Sequence, residues 1–185
     1  IEFVCTSSRV GTVLVASSAA GERAACAILL GDNATTLRED LERLFPRAEL
    51  RASKDEIGGL LKQVVSHINN ACGSELPKLD IRGTPFQKRV WAELSNVPAG
   101  TTTTYAAIAR AIGAPRAVRA VGRAIGANRL AVAVPCHRAI LSTGGLSGYR
   151  WGTDRKRALL LAEGVKVDSL LCSPVGVRKT ARSTV

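Results

Sequence analysis

The residues best suited to covalent chemistry are Cys136, His137 and Arg138, which follow a run of small apolar residues in AVAVPCHRAI, 131 to 140. The thiolate is the nucleophilic form of cysteine, and a free thiol is only a few per cent ionised at neutral pH. A nearby base or cation is therefore needed to make it a reagent. His137 and Arg138 are candidates for that part. The run 130–134 reads as a strand broken by Pro135, which would set the next residues at a sheet edge. Neighbours along a strand face opposite ways, so His137 would reach the sulfur only through a bend or a water. A carboxylate could orient the imidazole. DRKRALLLAEG, 154 to 164, has helical apolar spacing between an Asp and a closing glycine, which puts Glu163 in the final turn. A negative charge there opposes the helix dipole and gains from an imidazole or cation; an exposed, unpaired glutamate is the plainer alternative. Cys5, Cys26, Cys72 and Cys172 show no CxxC spacing and read as packing residues, with no disulfide framework and no metal site expected.

The net charge of +11 is concentrated in one place. Residues 1–81 hold 9 Lys and Arg against 11 Asp and Glu, whereas residues 82–157 hold 13 against 2. Such a block suits a polyphosphate, because each phosphate neutralised releases counterions. A basic solvated face is the bland alternative. No apolar run is long enough to span a bilayer and none resembles a leader, so no membrane partner is expected.

The elements that must position these groups follow from apolar periodicity. VGTVLVAS (10–17) and ERAACAILLG (22–31) predict a hairpin or meander, and TTLREDLERLF (35–45) a helix closed by Pro46. A second helix is predicted from Ser53 to about Ala71, then a connector over 72–83. Thr84, Pro85 and Gln87 form an N-cap, a first-turn proline and a capping-box partner for a helix that should stop near Pro98-Ala99-Gly100. Helices over 101–113 and 115–126, joined at Gly113-Ala114, make a helix-turn-helix. On the second, Arg116, Arg119 and Arg123 share one face, and Val118, Val121 and Ile125 the other.

VPCHR, preceded by YAAIARAIGAPRAVRAVGRAIGANRLA and followed by LSGYRWG and LLLAEG, resembles the O6-methylguanine-DNA methyltransferases, and among them the Ada branch. The match is densest from Thr84 to Gly164. The resemblance implies an α+β fold: a small N-terminal α/β, ribonuclease H-like domain with its connector (1–79), then a mainly helical DNA-binding and active-site domain (80–165) carrying the helix-turn-helix. Residues 166–185 are expected to be a poorly ordered tail.

It further implies direct, single-turnover transfer of a methyl group from O6-methylguanine, and from O4-methylthymine, in double-stranded DNA to Cys136, without cofactor. His137 would act through water as the base, Glu163 would orient it, and Asn128 would brace the backbone behind the active site. Tyr105 would rotate the target nucleotide and protonate the leaving purine. Arg119 would fill the vacated stack, beside Arg116, Arg123, Thr104 and Ala120 on the DNA. Tyr105, Val134, Ala139, Tyr149, Arg150 and Trp151 would line the base pocket. The DNA would be held through its minor groove, which carries little base information. A monomer is expected, in a reducing, cytoplasmic and nucleoid-associated bacterial setting, with a zinc-bearing regulatory half fused to the chain in nature. Arg129 stands where many relatives have proline, and Ala139 where they have valine. Trp151 stands where others have a small residue, so bulky adducts such as benzyl should be accepted less well than methyl. The alternatives are a lesion-recognition or transcriptional DNA-binding protein without methyl transfer, or a turnover thiol hydrolase, which leaves the basic block unexplained.

Overall fold

The structure, a computed structural model, describes residues 1–18, 23–70, 74–146 and 148–167. Cys72, Cys172 and the tail from 168 onward lie outside them. Strands β1 (Glu2–Ser8), β2 (Gly11–Ser17) and β3 (Ala25–Gly31) open the chain. The β2–β3 pair is the expected hairpin, with Val13 opposite Leu30 and Val15 opposite Ile28. Periodicity alone does not mark β1, because EFVCTSS breaks alternation; its pairing with β2 from Glu2 to Ser8 supplies what its own pattern lacks.

Helix α1 (Ala34–Leu44) starts at Asn33, whose side chain accepts the Thr36 N–H, and it buries Leu37 and Leu41. Strand β4 (Arg51–Ala52) lies parallel to β1 and completes the order β3-β2-β1-β4. Helix α2 (Lys54–Asn69) buries Ile57, Leu61, Val64 and Ile68, packing on β1 and β2. The connector then runs beside β3, where Ala25 donates to the Lys78 carbonyl (2.8 Å) and accepts from Asp80 N–H (2.9 Å).

Helix α3 (Pro85–Ser95) begins with the expected capping box. Gln87 N–H donates to Thr84 Oγ1 (3.2 Å) and Thr84 N–H to Gln87 Oε1 (2.9 Å). After the short strand β5 (Thr103–Thr104) comes α4 (Tyr105–Ala111), then Gly113 at φ +70°, a left-handed turn that suits glycine. The next helix, α5, spans Val118–Gly126 and not 115–126. Residues 114–117 form a turn closed by Ala117 N–H to the Ala114 carbonyl (2.9 Å), so Arg116 sits on the turn and only Arg119 and Arg123 on the helix. The later start also shortens the buried stripe to Val121, Ala124 and Ile125, leaving Val118 36% exposed against expectation.

The largest correction concerns 130–134. Leu130 makes a single bridge to Ile28 and the chain then turns, with Val132 at φ +61° and Val134 N–H bonded to the Leu130 carbonyl (3.0 Å). Small apolar residues permit a strand there, but the Asn128 side chain captures Leu130 N–H (2.9 Å) and the Val134 carbonyl (3.0 Å) and folds the segment into a loop. Cys136–Arg138 follow as one 3₁₀ turn, then strand β6 (Ala139–Ile140), parallel to β5. Helix α6 (Thr153–Ala162) starts at Gly152 and not at an Asp cap. One hydrophobic core runs from the sheet through α3, α4 and α5 to Cys136. Among the described residues no helix is long and apolar enough to cross a membrane.

Candidate active site

The 3₁₀ turn splays its three side chains, so Cys136 and His137 do not share a face. Cys136 is 3% exposed, and burial pushes its thiol pKa up. Three neighbours oppose that rise: the Asn128 amide, which donates to the sulfur at 3.1 Å, the Lys156 charge, and the Tyr149 hydroxyl. Asn128 itself is 2% exposed, and its amide also donates to the carbonyls of Leu130 (3.3 Å) and Val134 (3.0 Å). It therefore fixes the turn and the sulfur with one side chain.

Behind the thiol lies a buried ion cluster. His137 Nε2 sits 2.7 Å from Glu163 Oε1, and the two side chains are 1% and 2% exposed. Arg138 grips the same carboxylate through Nε (3.0 Å) and Nη2 (2.9 Å), and its Nη1 donates to the Val97 carbonyl (2.6 Å). Arg138 thus neutralises Glu163 instead of facing the sulfur. Glu163 is the C-cap of α6, where the helix dipole disfavours a carboxylate, and the guanidinium offsets that. Because a carboxylate only accepts, His137 Nε2 carries the proton and Nδ1 holds the lone pair. Nδ1 is buried with no hydrogen bond to any described residue. Burial lowers the pKa of His137, which keeps the ring neutral and its Nδ1 lone pair free to accept a proton.

Lys156 is fully buried and donates to the Ala139 carbonyl at 2.6 Å. Burial holds its pKa down to about 8, and its charge is felt by Cys136. Sequence reasoning passed over Lys156, yet a signal existed: it lies three and four residues before Leu159 and Leu160, on the buried stripe of α6.

The remaining expected residues are distributed as follows. Tyr149 packs edge-on against Trp151, ring centroids 5.3 Å apart, with its hydroxyl buried beside the Cys136 sulfur and its pKa raised by burial. Arg150 lies over the Trp151 ring at 5.9 Å, exposed to solvent yet close enough to respond to a charge on Cys136. Val134 and Ala139 are fully buried, their carbonyls held by Asn128 and Lys156. Tyr105 begins α4, half-buried, with its ring beside Gly122 of α5. Thr104 caps α4 by accepting the Ala107 N–H at 3.1 Å. Arg116, Arg119 and Arg123 are exposed and Ala120 half-buried. Among the described residues no group of three or more His, Cys, Asp or Glu side chains converges as metal ligands would.

The chain as a whole has known relatives. Residues 85–165 match the family model described as 6-O-methylguanine DNA methyltransferase, DNA binding domain. A structure of Mycobacterium tuberculosis OGT in complex with DNA superposes with a TM-score of 0.73 at 32% identity, over 92% of this chain and 99% of that one. The chain belongs to the O6-methylguanine-DNA methyltransferase family. Within the family it is similar to the bifunctional transcriptional activator/DNA repair enzyme Ada of Escherichia coli, 42% identical over 163 residues. That match covers 88% of this chain and 45% of the relative, so the chain spans about half the length of Ada. A methylated-DNA--protein-cysteine methyltransferase of Mycobacterium tuberculosis is 49% identical over 109 residues, 57% of this chain and 66% of the relative.

Proposed function

We propose that this chain repairs alkylated DNA by moving the alkyl carbon of O6-methylguanine, and of O4-methylthymine, onto Cys136 in one irreversible step. The observation that carries the reading is a buried sulfur that accepts from an amide and feels the charge of a buried lysine, on the same short turn as a histidine oriented by a buried carboxylate. His137 Nδ1 takes the thiol proton, through one water, and the Glu163 carboxylate stabilises the imidazolium that results. Asn128 and Lys156 stabilise the sulfur as it gains charge. The sulfur then attacks the methyl carbon in line: the S–C bond forms as the C–O6 bond breaks, the purine leaves with a proton from Tyr105, and solvent returns a proton to Tyr105 and takes the one held by His137. The product is a thioether, which no thiol exchange reopens, so each chain acts once.

The carbon to be attacked lies inside a duplex, so the nucleotide must be flipped out at a cost of about a few kcal/mol, least for a weakly paired lesion. The basic segment 82–157 and the exposed Arg116, Arg119 and Arg123 support double-stranded DNA as the partner, with α4 and α5 acting as a helix-turn-helix in the minor groove. Arg119 takes the place of the extruded base. The sheet order β3-β2-β1-β4 fits a ribonuclease H-like N-terminal unit. The free thiols of Cys5, Cys26 and Cys136 fit a reducing cytoplasm, and the half-length match to Ada fits a larger regulatory protein in nature.

The number of methyl groups removed per chain tests the reading. With a methylated duplex in excess, loss of O6-methylguanine should stop at one per protein. Continuing turnover would indicate a thiol hydrolase, and lesion binding with no loss a recognition protein.

A further inference from the structure

Arg155 is not needed by the proton relay, yet it joins three parts of the chain. Its Nε donates to the Val10 carbonyl at the β1–β2 turn (2.9 Å), its Nη2 pairs with Asp32 between β3 and α1, and its Nη1 donates to the Trp151 carbonyl (2.9 Å). The guanidinium is housed against Gly11 at φ +104°, where an added Cβ would lie 3.2 Å from Nη2 and 2.6 Å from the Gly31 carbonyl. The Gly31 carbonyl and the positive φ require glycine there, and the fork packs against it. The Trp151 ring is 6% exposed and meets Tyr149 edge-on, and Tyr149 lies against the sulfur. A line of contacts thus runs from the N-terminal sheet through Arg155 and Trp151 to Tyr149, whose buried hydroxyl acts electrostatically on Cys136.

We infer that Arg155 is a positioning residue for substrate selection: by pinning the Trp151 backbone to Val10 and Asp32, it makes the Trp151 wall of the adduct pocket rigid and excludes bulky alkyl groups. The inference rests on the proposed methyl transfer. Without this anchor the backbone of residues 148–152 would be held to the N-terminal unit by the core packing of Trp151 and Tyr149 alone, and the wall could give way to a larger group. The N-terminal unit, which contributes no reactive group, would then control which adducts the thiol can reach.

The test compares transfer rates from duplexes carrying O6-benzylguanine and O6-methylguanine. Arg155→Ala should raise the benzyl-to-methyl ratio about tenfold, the scale on which an apolar pocket discriminates by size. Asp32→Asn, which removes one anchor at a side chain 90% exposed, should move the ratio the same way by less and serves if Arg155→Ala folds poorly. Simple destabilisation would lower both rates together and leave the ratio unchanged. Trp151→Ala should raise the ratio by itself, and adding Arg155→Ala to it should raise it no further, because the arginine acts through that wall. An unmoved ratio in both anchor variants, or full additivity with Trp151→Ala, overturns the inference while methyl transfer stands. A wild-type chain inert toward both duplexes overturns the transfer reading and this inference with it.

Discussion

Replacing Glu163 by glutamine is expected to slow methyl transfer by roughly three orders of magnitude, the scale of losing an oriented general base. The carboxylate accepts from His137 Nε2 and from Nε and Nη2 of Arg138. An amide has one oxygen and one NH2, so its nitrogen must confront an N–H of one of these partners. If it faces His137, the imidazole is driven to the tautomer with its proton on Nδ1 and can no longer accept from the thiol. If it faces Arg138, a buried guanidinium loses much of its compensation, a loss expected to cost about 3 kcal/mol of stability. Single-turnover rates beside denaturant unfolding separate the two effects. The pH profile gives the sign of the base. Burial sets the pKa of His137 below its ordinary 6.5, so the wild-type rate should hold as pH falls through 6.5 and decline only in more acid solution. A decline centred above 6.5, or a glutamine variant within tenfold of wild type, would contradict the role of the pair.

Asn128→Ala should reduce stability by about 3 kcal/mol and also impair transfer, because it orphans the buried Leu130 N–H, at roughly 1–3 kcal/mol, and removes further bonds to two carbonyls and the sulfur. Leu130 N–H loses its bond, the Val134 carbonyl keeps only that from Cys136 N–H, and Val132 at φ +61° loses the side chain that holds the loop in a left-handed conformation. The sulfur loses its amide donor in the same stroke. Asn128→Asp separates these effects. It keeps an acceptor for Leu130 N–H but cannot donate, and it sets a negative charge beside the thiol, raising its pKa further. The aspartate variant should fold better than the alanine variant and transfer more slowly than wild type. A chain with alanine at 128 that unfolds at the wild-type denaturant midpoint would show that the loop does not depend on this side chain.

Much of this arrangement is legible before any coordinates, and the parts that are not share a physical cause. Thr84, Pro85 and Gln87 announce the start of α3 because capping is local chemistry between residues three apart. Glu163 at the end of α6 raises the question of a partner through its own unfavourable place on the helix dipole, and the resemblance to the family supplies His137 as the answer. The loop over 130–134 is misread as a strand because apolar spacing carries no record of a side chain such as Asn128 diverting two backbone groups from a ladder. Arg138 and Lys156 are misjudged for a related reason. A charge in sequence gives no sign of whether it will be buried, and their counterparts, Glu163 and the Ala139 carbonyl, lie 25 and 17 residues away. Arg155 is the extreme case, bonded to a carbonyl 145 residues away.

The most direct test of the central claim is the mass of one peptide. Trypsin cutting after Arg129 and Arg138 releases residues 130–138, in which Cys136 is the sole cysteine. After incubation with a duplex carrying O6-methylguanine, this peptide should be heavier by one methylene, to the extent that the lesion has disappeared. It should be unchanged after an unmodified duplex. Methyl lost from the DNA while this peptide keeps its mass, or a methyl group found on another cysteine, would contradict the assignment of Cys136 as the acceptor.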